Sequence, residues 1–195
     1  QNAAAPFFDP SWMFGFPEND AGFDVVLANP PYVRGGLIKA MKPALAKLYP
    51  EVYTGTADLY CFFYARAIEM LRPGGMLVFI SSNKWYRAGY GEKLRGFLAR
   101  ELTLHRLIDF GDASVFTAIA YPSIIVVRKT RETRDKTALP SVAKDEKKWQ
   151  GLVPAAAQVR TLNWEPGPSI DEFPEILSQR GFTLLQRELK PDGWR

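Results

Sequence analysis

Cysteine and histidine are almost missing from this chain: 195 residues contain one of each, Cys61 and His105. A single thiol excludes an internal disulfide framework and points to a reducing compartment. One cysteine and one histidine cannot supply the ligands of a zinc site, so no metal is expected. No apolar run approaches the roughly 20 residues that span a bilayer, and no secretory signal pattern is present, so no membrane partner is expected. Basic charge is in slight excess. Lys and Arg number 25 against 21 Asp and Glu, a net charge of +4, which permits a polyanionic partner without requiring one. What is plentiful is apolar: 47% hydrophobic and 13% aromatic residues make a globular chain, not a disordered one. The chain runs from Gln1 to Arg195 and ends in a polar stretch, so it reads as a piece of a longer protein.

The rest of the sequence is organised around Gly22–Tyr32, GFDVVLANPPY. Val25, Val26 and Leu27 form a nearly continuous apolar run, which predicts a strand over about 23–28 buried on both faces. Pro30 and Pro31 have no N–H to donate, so the chain must leave the sheet there. In an open α/β sheet, ligands bind at the carboxyl ends of strands. The proline ring fixes φ, so the Pro30 carbonyl has a nearly fixed direction, and the Asn29 side chain adds a second acceptor close by. Two rigid acceptors suit a planar amino group with two N–H donors, and the flat face of Tyr32 suits a ring stacked beside it. An amine conjugated to a ring is a poor nucleophile, because its lone pair is delocalised. Acceptors for both hydrogens favour the positive charge that develops as the nitrogen attacks an electrophilic methyl carbon.

Further along, residues 33–57 are basic and mixed, with a helical piece around 36–48; they read either as a solvated insertion or as a loop whose lysines meet a phosphate backbone. Thr56 or Asp58 caps a helix that carries Leu59, Phe62, Phe63 and Ala67 at helical spacing. Arg72-Pro73-Gly74-Gly75 reads as a turn into a buried strand, Met76–Ile80. Ser81–Trp85 follows on the same rim as Asn29, where Lys84 and Trp85 either pack the rim or face DNA. Residues 89–100 form an amphipathic helix, 104–110 a strand with His105 on an exposed face, and 121–129 a final strand. Mixed-charge runs from about 131 read as a solvated linker, and 182–194 as a joint.

Asn29-Pro30-Pro31-Tyr32 after an apolar strand resembles the catalytic motif of S-adenosylmethionine-dependent amino-group methyltransferases. The approach to it (Phe7-Phe8-Asp9-Pro10, Phe14-Gly15-Phe16-Pro17-Glu18, Gly22-Phe23-Asp24) resembles the adenine-N6 DNA methyltransferases of type IIG restriction-modification enzymes. Ala57-Asp58-Leu59-Tyr60 looks like the family's next motif, and Leu71–Leu77 like a helix-to-strand signature of class I methyltransferases. The resemblance implies several roles. Asn29, Pro30, Pro31 and Tyr32 are catalytic. Tyr32 and Phe116 sandwich a flipped base, with Tyr121 competing for the second position. Asp58 lines the cofactor and target pocket, and Lys84 touches DNA. It also implies an α/β fold: the C-terminal half of a class I, Rossmann-like sheet whose last strand, Val126-Val127, is antiparallel. No Gly-rich loop precedes Asn29, so the first strands and the main S-adenosylmethionine motif are expected outside this chain. The implied organisation is an irregular arm over 1–20, a partial catalytic domain over 21–130, and a linker and the start of a target-recognition domain over 131–195. The implied partners are double-stranded DNA and the remaining domains of the same polypeptide, in a bacterial or archaeal cytoplasm. The same tetrapeptide occurs in enzymes acting on RNA guanine-N2 and protein glutamine, and a non-catalytic DNA-binding scaffold is a further alternative.

Overall fold

The computed structural model describes residues 10–16, 22–113, 115–116, 121–130, 154, 156–165, 167–190 and 192–194. The β-branched run after Gly22 forms strand β1, Phe23–Ala28. Gly22 has φ +135°, and a side chain there would collide with the backbone of Arg72, so only glycine lets the chain enter the sheet at this point. The prolines end β1 where expected. A 3-10 segment, Gly35–Met41, runs into helix α2, Lys42–Leu48, and α3 follows at Leu59–Met70. Strand β2 is Leu71–Ser82, α4 is Glu92–Glu101 and β3 is Leu102–Asp109. Strand β4 is Pro122–Lys129, β5 is Gln158–Asn163, α5 is Phe173–Arg180 and β6 is Phe182–Leu185. Of the arm expected over 1–20, Pro10–Phe14 form a short helix, α1; Phe7 and Phe8 lie outside the described residues.

Among the described residues one six-stranded sheet has the order β1-β2-β4-β3-β5-β6. Strands β1 and β2 pair in parallel, as do β3 and β5, while β4 and β6 run antiparallel to their neighbours. The strand holding Val126-Val127 is thus reversed, as the fold class requires. Helices α3 and α4 pack on one face, around Tyr64, Leu77, Phe79, Leu94, Leu98, Ile125 and Val127. A smaller cluster on the opposite face joins Ile108, Phe110, Leu162, Trp164 and Ile176.

Two expectations are corrected. Among the described residues strand β1 is not buried on both faces: it lies at the sheet edge, and Val25 and Leu27 are 57% and 74% exposed. Only Val26 and Ala28 pack on the core. Arg72–Gly75 is not a turn but the bulged start of β2, where the pairing shifts between Phe23 and Val25. Within the stretch expected to be a linker and the start of a further domain, 131–195, β5 and β6 extend the same sheet. Gln186, fully buried, donates to the carbonyls of Ala99 and Leu102 and accepts from Leu104 N–H. Trp194 packs on Trp85 with ring centroids 5.1 Å apart. The expected linker, 131–153, lies outside the described residues.

Candidate active site

Parallel pairing sets Ala28 beside Phe79, so the chain leaving β1 at Asn29 does so at the end of the sheet where β2 reaches Ser81–Lys84. At that end Asn83 Nδ2 donates to Asp109 Oδ1 at 2.7 Å, joining the tips of β2 and β3. Asn83 N–H donates to the Tyr121 carbonyl at 2.8 Å, which brings in the start of β4. One rim therefore gathers the Asn-Pro-Pro-Tyr loop, the segment after β2, the end of β3 at Asp109 and the approach to β4 at Tyr121. Ser81 is held from two sides: its hydroxyl pairs with Tyr64 at 2.9 Å, and its carbonyl accepts from Ser123 at 3.1 Å.

Within the tetrapeptide, Asn29 and Pro31 are exposed, Pro30 is buried and Tyr32 is half-buried. The Tyr32 ring meets Tyr60 edge to face at 6.4 Å. Its hydroxyl is buried without a hydrogen-bond partner, and burial pushes its pKa above the usual phenol value. The polar tip of Tyr32 is thus turned into protein, leaving the ring for contact.

Phe116 is half-buried, and Tyr121 is exposed with φ +43°, a backbone conformation unusual for a side chain of its size. Lys84 is exposed, its ammonium 5.7 Å from the Tyr121 ring centroid, close enough for a cation–π contact. Trp85 is fully buried among Tyr64, Tyr86 and Trp194, so it is core and not a DNA contact.

Asp58 stands at the head of α3, where a cap is expected. It occupies the N-cap of α3 without a side-chain capping bond. One oxygen accepts the Gly35 N–H at 2.8 Å and the other the Tyr90 hydroxyl at 3.1 Å. Tyr90, missed in the sequence because it sits in a Gly-Tyr-Gly loop, also pairs with Tyr60 at 2.6 Å. Buried Arg95 was likewise missed, reading as the charged face of α4. It donates to the carbonyls of Trp85 and Ala88, clamping the loop that carries Tyr90. Cys61 is buried in α3 and burial pushes its thiol well above its usual pKa, which disarms it as a nucleophile. Among the described residues no three His, Cys, Asp or Glu side chains gather as metal ligands, and no helix is long and apolar enough to cross a membrane.

Residues 2–116, more than half of the chain, match the Eco57I restriction-modification methylase family. The chain is 37% identical over 111 residues to the type II methyltransferase M.XhoI of Xanthomonas vasicola, covering 56% of this chain and 20% of that protein. It is 32% identical over 131 residues to the type II restriction enzyme and methyltransferase RM.Eco57I of Escherichia coli, covering 65% of this chain and 13% of that one. It therefore spans a fifth or less of the length of these relatives. In structure it is similar to the type IIG restriction endonuclease BpuSI, with a TM-score of 0.57 at 15% identity over 91% of this chain and 21% of that chain. It is also similar to a Listeria monocytogenes protein described as a class I S-adenosylmethionine-dependent methyltransferase. That TM-score is 0.53 at 16% identity, over 82% of this chain and 43% of the other. These likenesses agree with the reversed β4 and the class I sheet order. With the Asn-Pro-Pro-Tyr loop inside the matched span, the chain belongs to the Eco57I restriction-modification methylase family.

Proposed function

We propose that this chain carries the acceptor-base half of a DNA methyltransferase active site, and that the longer protein methylates the N6 amino group of adenine. The observation that carries the reading is the exit of Asn29-Pro30-Pro31-Tyr32 from a parallel strand onto the rim that also holds Lys84 and Tyr121. The Asn29 side-chain oxygen and the Pro30 carbonyl accept the two amino hydrogens. That pulls the nitrogen toward tetrahedral geometry and stabilises the charge that grows on it. Tyr32 and Phe116 hold the ring between them after the base has left the duplex, since N6 is out of reach within the stack. Pro31 fixes the step between Asn29 and Tyr32. Lys84 meets a phosphate. Cys61, buried, takes no part, and transfer is direct.

S-adenosylmethionine, the cofactor implied by the family, supplies an electrophilic methyl group on a sulfonium. The described residues suit only the acceptor side of that reaction. Asn29 sits at the tip of an edge strand, and no Gly-rich loop leads into a helix beside it. The exposed β1 edge, with Val25 and Leu27 beside it, is where further strands of the longer protein would complete the sheet and hold the cofactor. The test is to incubate the full-length protein with DNA and labelled S-adenosylmethionine, then digest to nucleosides. Label in N6-methyladenine supports the reading. Label in RNA guanine or protein glutamine, or none in any acceptor, overturns it.

A further inference from the structure

The Asn-Pro-Pro-Tyr loop has little sheet to hold it. Among the described residues it makes no ladder pairs beyond Ala28, and β1 pairs with β2 alone. Its far end is nevertheless fastened. Leu59 N–H donates to the Val33 carbonyl at 2.9 Å, and Gly35 N–H donates to Asp58 Oδ1 at 2.8 Å. Gly35 lies so close to the start of α3 that a Cβ would come within 2.6 Å of the carbonyl oxygens of Thr56 and Ala57. The second oxygen of Asp58 accepts from Tyr90. The Tyr90 proton being committed there, Tyr60 donates to Tyr90, giving a directed chain from Tyr60 through Tyr90 to a carboxylate. Hydrogen bonds to an ionised acceptor are about twice as strong as neutral ones. The chain ends on Tyr60, the ring that Tyr32 packs against.

We propose that Asp58 is a positioning residue, which sets the Asn-Pro-Pro-Tyr loop by gripping Gly35 and by fixing Tyr60 beneath Tyr32 through Tyr90. The carboxylate reaches both ends of the problem. Through Gly35 it fixes where the backbone goes after Tyr32, and through Tyr60 it fixes the surface on which the Tyr32 ring rests. Each oxygen holds a donor of the protein, Gly35 N–H on one and the Tyr90 hydroxyl on the other, so the residue acts through these neighbours. The inference rests on the reading of Asn29–Tyr32 as the acceptor site, but the tether itself is measurable without any reaction.

The experiment uses the full-length protein with Asp58→Ala, Asp58→Asn and Tyr90→Phe. Asparagine keeps an acceptor for Gly35, and its amide can donate to Tyr90. In hydrogen exchange, Asp58→Ala is expected to speed exchange in the peptide covering Val33–Gly36, with Asp58→Asn close to the unmodified protein. In steady-state methylation of DNA, Asp58→Ala is expected to lower kcat by about 100-fold, the scale for misplacing a reacting group by an ångström, with KM for DNA nearly unchanged. Asparagine should restore most of that loss, and Tyr90→Phe, which cuts only the Tyr60 arm, should fall between. Unaltered exchange at Val33–Gly36 in Asp58→Ala overturns the proposal whether or not the protein methylates DNA. A rise in KM for DNA or S-adenosylmethionine at constant kcat also overturns it, because it would mean direct contact. Altered exchange in a protein that methylates nothing sustains the tether and rejects only the acceptor-site reading.

Discussion

Tyr32 meets Tyr60 edge to face at 6.4 Å, and the Tyr32 hydroxyl is buried without a hydrogen-bond partner. An unpartnered buried hydroxyl costs stability, whereas removing it costs nothing in contacts. Tyr32→Phe is therefore expected to keep full methylation in the longer protein and to match or exceed the unmodified protein in melting temperature. Tyr32→Ala removes the ring, and is expected to lose about 1–3 kcal/mol of base stacking. Steady-state rates and thermal melts of the two variants check this. A Tyr32→Phe enzyme as impaired as Tyr32→Ala would mean that the hydroxyl works on the substrate.

Gln186 binds β6 and its following turn to the rest of the sheet. Its side chain satisfies the Leu104 N–H and the Ala99 and Leu102 carbonyls, all buried and remote in sequence. Gln186→Leu leaves these groups unpaired, and about 1–3 kcal/mol is expected for each that finds no water. Denaturant unfolding should show a single transition displaced to lower denaturant. Two separate transitions, with only one displaced, would mean that Gln158–Trp194 folds as a unit of its own.

His105 sits where the pairing of β3 with β4 shifts between Leu104 and Arg106. Burial, and then the charges of Arg128 and Arg106, hold its pKa below the usual 6.5. The unfolded chain thus binds this proton more readily than the folded one. The histidine's contribution to stability is intact above 6.5 and is lost as the pH falls toward the lower folded value. Between about pH 7.5 and about pH 5.5, the unmodified protein is expected to lose more melting temperature than His105→Gln. Equal losses in the two proteins would contradict this.

Much of the fold was legible in the sequence because local chemistry decided it. The proline pair had to end β1, and the apolar runs at Met76–Ile80 and Ile124–Val127 could only be strands. The burial of β1 was not legible, since Val25 and Leu27 look the same in a central strand and at an edge; what covers them depends on neighbours in space. The pairing of Gln158–Asn163 and Phe182–Leu185 into this sheet was not legible for a similar reason. Their link to the sheet is a polar residue, Gln186, whose partners lie more than 80 residues away. At the candidate site, the tetrapeptide stood out because its chemistry is contained in consecutive residues. Asp58 was noticed for its motif, but its partners, 23 and 32 residues distant, gave no local pattern. The bulge at Arg72–Gly75 looked like a turn because proline and glycine serve both.

The central claim is that Asn29 and Pro30 accept the hydrogens of an adenine amino group. The most direct measurement is single-turnover methyl transfer to DNA by the full-length protein and its Asn29→Ala variant, with DNA binding recorded in parallel. Loss of one of two transition-state acceptors is expected to slow the transfer step by about 100-fold to 1,000-fold, with DNA affinity nearly unchanged. An Asn29→Ala protein that transfers methyl groups to adenine at close to the unmodified rate would contradict the account.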